Sequence, residues 1–520
     1  MVETYVMTRR TKRVLVALGA LLLAGVGFLV EERVRGVVAL RAWEREMRAK
    51  GEKLTFTELA PPAPTNSATE VLTPDRVSPR LTIATAPTTA PGTMRMVAPG
   101  KAQALWQVDS WIVDRKQTNR WTELARQFES QREAVGQLRH DLTNQAFVVS
   151  LDYSQGYNLL LPHLSAYKRA VQTLAFDVQL ALREGRRDDA VADIVASLAL
   201  CEQLHRDPLL IGELVSIAAA SINLGATWES LQAEGWTDAQ LATVQNAWQN
   251  AGFAPGMVRA LQMERAMAAI YYDRARLSIR EIQSLSSVGG FGPSSDSDST
   301  DLGAVGRFFE PILIGSARLR EFVGLGIWRI AWVEQDHLFY NRAIERGLAA
   351  GRQAFAEQHW PKVRTTEFIL PRDQIPSSAW GRMRCLLALM TLPGLEKAFD
   401  KAVRIEIQRA LVLSAIALKR HQLRHGTLPE HLDALVPELL SEVPRDWYSG
   451  KPVRYERLPD GAFRLYSVGE DGVDDGGDAR PVDEKARANF FNGRDVVWPQ
   501  PAARDEFDQF EIPRRNRASP

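Results

Sequence analysis

From Ser467 to Asp478 the chain reads SVGEDGVDDGGD, and a further aspartate, Asp495, returns from the segment that follows. Calcium takes six to eight oxygen ligands, so carboxylates repeated along a tight turn suit it, and glycines let the backbone curve enough to converge them. Asp471, Asp474, Asp475, Asp478 and Asp495 supply the carboxylates. Gly472, Gly476 and Gly477 supply the curvature, and Ser467 adds a hydroxyl on the flanking segment. The spacing is not the D-x-[DN]-x-[DN]-G of an EF-hand. Two readings stand side by side: a structural metal loop at these five aspartates, or a solvated acidic loop whose Asp-Gly pairs turn the chain.

Other groups of reactive type are sparser. His421 and His425 stand four apart on one helical face, a spacing zinc can use, but no third ligand accompanies them. A pair near a helix end also simply complements the helix dipole. Glu334, Gln335, Asp336 and His337, with Tyr340, form a polar cluster flanked by Trp328, Trp332 and Phe339. A carboxylate beside an imidazole makes an acid–base pair, yet neighbours on a helix diverge, so the pattern does not pair Asp336 with His337. H-E-x-x-H, G-x-S-x-G and the P-loop do not occur, and no catalytic residue is assigned. The expected function is non-enzymatic. A cell-envelope hydrolase with a site built from distant helices is the alternative.

The elements that must position these groups begin with a membrane segment. Val14–Val30 is a charge-free run of apolar and glycine residues, with Arg9, Arg10, Lys12 and Arg13 before it and Glu31 and Glu32 after it. As a helix it spans about 25 Å, enough for a hydrocarbon core with snorkelling ends. Gly25-Val26-Gly27 is a poor signal-peptidase site, so a retained anchor is expected. The basic residues place the amino terminus in the cytoplasm and the bulk of the chain outside the cytoplasmic membrane. A net charge of +1 across 520 residues argues against a nucleic-acid partner. The partners expected are the membrane and a protein of the cell envelope.

The apolar and turn patterns divide the chain into a cytoplasmic tail (1–13), the anchor (14–30), a juxtamembrane helix standing as a stalk (31–58) and a Pro/Thr-rich linker (59–100). A helical body (101–398), broken by a Ser/Gly/Asp-rich loop at 284–301, a module at 399–498 and a tail at 499–520 follow. The class is mainly α. In the body, apolar residues recur every three or four positions from Leu160 to Leu182, with Gly185 as a stop. Asp188 or Asp189 opens the next helix, Pro208 breaks it, and Thr237 with Gln240 forms a capping box. Such helical hairpins suit a solenoid-like or an irregular helical body. The charges in 308–333 make that stretch a buried helix pair rather than a second span. Cys201 and Cys385, set among leucines and alanines, read as buried thiols, and a bridge between them stays open.

The module starts with a helix ending near His425-Gly426. Thr427-Leu428-Pro429-Glu430 then reads as a capping box launching a short helix. Two alternating segments around Pro459-Asp460-Gly461 form a hairpin. The acidic loop and Asp495-Val496-Val497-Trp498 complete it. This order resembles the carboxy-terminal half of major pseudopilins of type II secretion. The resemblance covers residues 400–498, and the chain as a whole is similar to uncharacterised bacterial membrane-anchored proteins. It implies a helix packed on a small antiparallel sheet, and calcium bound by the acidic loop. The processing motif of such proteins is displaced: Gly27-Phe28 stands at the end of the apolar run instead of before it. A pseudopilin-like assembly subunit is therefore a further alternative, with cleavage at Gly27 as its mark.

Overall fold

The computed structural model describes residues 9–61, 92–112, 118–144, 151–278, 324–360, 368–483, 486, 489–503 and 506. The loop expected at 284–301, most of the linker and residues 308–323 of the expected helix pair lie outside them. The helices are α1 (Arg9–Ala49), α2 (Trp121–Glu129), α3 (Arg132–Asn144), α4 (Pro162–Glu184), α5 (Arg187–Leu204), α6 (Leu210–Leu231), α7 (Asp238–Asn250) and α8 (Ala254–Leu277). After these come α9 (Val333–Glu357), α10 (Ala379–Arg384) and α11 (Leu386–His425). The strands are β1 (Arg95–Ala98), β2 (Lys101–Gln103), β3 (Ser110–Ile112), β4 (Thr118–Arg120), β5 (Arg454–Arg457), β6 (Phe463–Ser467), β7 (Val496–Val497) and β8 (Gln500–Pro501). The protein is mainly helical, with a small antiparallel sheet toward its carboxy end and a long apolar helix at its start.

Helix α1 is unbroken through the apolar run and the charged residues after it. Among the described residues, two helices are long and apolar enough to cross a membrane. Two thirds of the apolar window of α6 is buried, as a core helix requires, whereas that of α1 stands wholly clear of the body. Beyond Val30 the helix is no free stalk, because it docks on α9. Gly36 lets the two backbones close, since a Cβ there would meet Gln335 Cγ at 3.0 Å. Trp43 and Met47 pack with Leu338. Gly51, in the left-handed region, ends the segment. Of the apolar residues on this stretch, Trp43 and Met47 dock, while Val34 and Val38 stay exposed.

Within the body the local stop signals act as expected. Gly185 closes α4 at φ +76°, and Thr237 and Gln240 exchange both bonds of a capping box on α7. Helix α2 packs Trp121 and Phe128 on Phe176 of α4, and α3 attaches through Arg139, which reaches Asp193 at 2.5 Å and Asp189 at 3.0 Å and also bonds Asp177. Cys201 and Cys385 are both buried and unbridged.

Helix α11 straddles residue 399, and its Leu411, Ile416 and Leu418 share one continuous core with α4–α9 and with Leu465 and Val496 of the sheet. It ends at Gly426, left-handed at φ +74°. The expected capping box at Thr427 does not form: one tight turn, Leu432–Leu435, starts from His431. The hairpin is present, β5 and β6 pairing antiparallel from Arg454–Tyr466 to Arg457–Phe463, with β7 on the far edge of β6. Strand β1 falls where linker was expected. It pairs with β2, and β2 runs parallel to β8.

A buried carboxylate helps to hold this seam to the helices. Glu229 of α6 accepts the amides of Met94 and Leu105, each at 3.0 Å, and the Gln179 side chain at 3.1 Å. Burial pushes its carboxyl up to about 7, against the pull of those donors. Glu229→Ala leaves buried amides without partners, and we expect a loss of about 3 kcal/mol in denaturant unfolding. A loss within experimental error would show that the seam does not depend on it.

Candidate functional site

The acidic loop gathers its aspartates around backbone amides and arginines. Asp495, which directly precedes β7 and is almost fully buried, accepts Gly477 N at 2.7 Å, Asp478 N at 3.0 Å and Asp475 N at 3.5 Å. Gly477 and Gly476 make this inward turn of amides possible, both at positive φ. Asp474 takes Arg454 Nε at 3.1 Å, the Tyr466 hydroxyl at 3.0 Å and Gly476 N at 3.1 Å. Asp478 receives the Arg480 guanidinium on both oxygens. Asp471 turns its own backbone, accepting Val473 N at 3.1 Å. Ser467 points elsewhere and donates to Asp446 at 2.7 Å.

The carboxylates of Asp471, Asp474, Asp478 and Asp495 are thus each engaged as acceptors, chiefly for N–H groups, while Asp475 contributes its backbone amide. As arranged they do not fit a calcium cage, because an ion would have to displace Arg454 and Arg480 and turn the amides away from Asp495. Among the described residues no three acidic, imidazole or thiol groups converge at metal-ligand separation. His421 and His425 stack with ring centroids 4.3 Å apart, and His421 Nδ1 lies 3.0 Å from the Thr427 carbonyl.

The polar cluster on α9 is more buried. The Asp336 carboxylate accepts Leu387 N at 2.8 Å, Ala388 N at 3.1 Å, Trp328 Nε1 at 2.9 Å and the Tyr272 hydroxyl at 3.0 Å. It caps the start of α11, where unpaired amides and the helix dipole favour an anion. His337 diverges from it, as the spacing implies, and stacks on the Tyr272 ring at 4.6 Å. Burial pushes Asp336 up to about 7 and His337 down to about 4. The two share Tyr272 as a neighbour without forming an acid–base pair.

Sequence reasoning missed the carboxylates that do the most. Glu32, 2 % exposed, accepts Trp332 Nε1 at 3.0 Å and pairs with Arg384 at 2.9 Å, while Gln335 reaches its backbone carbonyl at 2.8 Å. Glu406 accepts the amides of Phe253 and Ala254 at the start of α8. Asp446 binds Tyr448 N, Ser449, Ser467 and Val468 N. An acidic residue within an apolar stretch was the available signal, as at Glu229 and Glu406. Comparison of the chain with known protein families, with curated proteins and with solved structures finds no match.

Two outcomes are expected. Millimolar calcium leaves the melting temperature of the full chain unchanged, while Asp495→Ala costs about 2 kcal/mol by orphaning the amides it holds. A rise of several degrees with calcium would show that the loop exchanges its arginines for the ion. The second concerns pH. Burial raises Asp207 to about 6 and Glu229, Glu264 and Asp336 to about 7, above the ~4 of an unfolded carboxyl. The folded chain binds more protons between these values, so this contribution to stability falls as pH rises from about 4 to 7. Melting should occur at higher temperature near pH 5.5 than near pH 8, and Glu264→Gln should shrink the difference. A profile that rises with pH would contradict the assignment.

Proposed function

We propose that this chain is a single-pass membrane protein, amino terminus inside, whose extracytoplasmic body presents an interaction surface to another envelope protein and performs no catalysis of its own. The observation that carries the reading is α1. Its apolar half is fully exposed, and its polar half is bound to the body through Glu32 and Gly36. An exposed apolar helix of that length is costly in water and favourable in lipid. The non-catalytic part rests on how the perturbed carboxylates are used: Asp336 and Glu229 are occupied by backbone amides and buried donors.

The α4–α5 pair, joined at Gly185, is the helical hairpin from which a solenoid-like surface would extend. The carboxy-terminal module serves as a cap on that body. The resemblance to pseudopilins rests on the order of its segments, and α11 against the β5–β6–β7 sheet supports it.

Membrane fractionation tests the tether. The full chain should stay with carbonate-washed membranes and release only into detergent, and external protease should cut the body in cells whose outer barrier has been removed. A carbonate-soluble chain, or one protected inside the cell, would sink the placement. Steady turnover of an ester, peptide or glycan by the purified chain would favour the hydrolase instead.

A further inference from the structure

The way α1 docks sets which part of the body meets the bilayer. Contacts ascend together along the two helices: Glu32 with Trp332, Gly36 with Gln335, Trp43 with Leu338. Helix α1 and the Trp328–Glu357 segment therefore run parallel. Residues before Trp332 lie level with residues before Glu32, which belong to the apolar run. Arg33 Nη1 accordingly reaches back to the Ile330 carbonyl at 3.2 Å. Helix α10 sits at the same height, because a Cβ on Gly324 would lie 3.0 Å from the Met383 methyl group.

Among the described residues, this end of the body exposes apolar side chains. Trp380 is 64 % exposed and stacks edge-on to Trp332 at 5.4 Å, and Ile330 is 54 % exposed. Arg329 and Arg382 stand beside them on the same two segments, donating to the Arg276 and Ser377 carbonyls. Tryptophan with arginine at the level where an apolar helix ends is the composition of a lipid–water boundary.

We propose that α10 and the Gly324–Trp332 segment form an interfacial foot, with Trp380 and Ile330 seated in the headgroup region beside α1 and the nearby guanidinium groups facing lipid phosphates. The occupant is the bilayer itself. The inference rests on the reading of α1 as a membrane anchor and adds a second contact, which fixes the tilt of the body.

The test uses the full chain in phosphatidylcholine–phosphatidylglycerol vesicles. Single cysteines are introduced as Trp380→Cys, Ile330→Cys, Leu22→Cys and Leu423→Cys, and labelled with an environment-sensitive fluorophore. An unsubstituted chain reads the background of the buried Cys201 and Cys385. Leu22 lies in the apolar run, and Leu423 is exposed near the far end of α11, about 60 Å from its start. Spin-labelled lipids should quench about half of the emission at 330 and 380, as at 22, with a blue shift, and leave 423 unchanged. If 330 and 380 behave like 423 while 22 is quenched, the foot is wrong and the anchor stands. If 22 is also unquenched, the anchor reading fails and the foot falls with it.

Discussion

A buried carboxylate at the root of a helix organises this molecule. Glu32 follows the apolar run directly, and in water it would be an unremarkable surface acid. Here Trp332, Arg384 and the body enclose it, so its charge is compensated by an indole N–H and a guanidinium. Arg35 at 3.2 Å and the Gln335 amide at 3.2 Å complete its partners, as a buried charge requires. Gly36, one turn later, permits the close approach that makes the enclosure complete. The apolar run is thereby coupled to α9, and through Asp336 to the first turn of α11.

The same device recurs throughout the fold. Glu229, Glu406, Asp336, Asp446 and Asp495 each turn a carboxylate onto backbone amides that belong to another segment. Charge-assisted bonds of this kind are stronger than neutral ones and satisfy helix starts and loops that would otherwise be orphaned. They explain how these five acids come to be buried: donors from another segment offset the loss of water.

The elements that could be read from the chain are those set by neighbours in sequence. Gly185, Gly426 and the Thr237–Gln240 box act within one turn of backbone, and the Asp460-Gly461 turn fixes its own hairpin. The charged exit of the apolar run and the stripe of Trp43 and Met47 were visible too, but their partner was not: Glu32 and Trp332 are 300 positions apart. Pattern alone therefore made a stalk of a docked helix and a linker of strand β1. At the acidic loop, residue types and spacing marked the turn, and its aspartates bind backbone amides and arginines. The partners that decide their chemistry, Arg454 and Arg480, lie outside the pattern that suggested a metal.

Strand β8 pairs with β2, and Trp228 of α6 donates to the Pro499 carbonyl at 2.8 Å. Ribosomal synthesis delivers β2 early and Gln500–Pro501 late. The seam on one flank of the helical block consequently stays open until almost all of the polypeptide has emerged, and such non-local closure is slow. A late-made strand thus completes the flank that an early-made one begins.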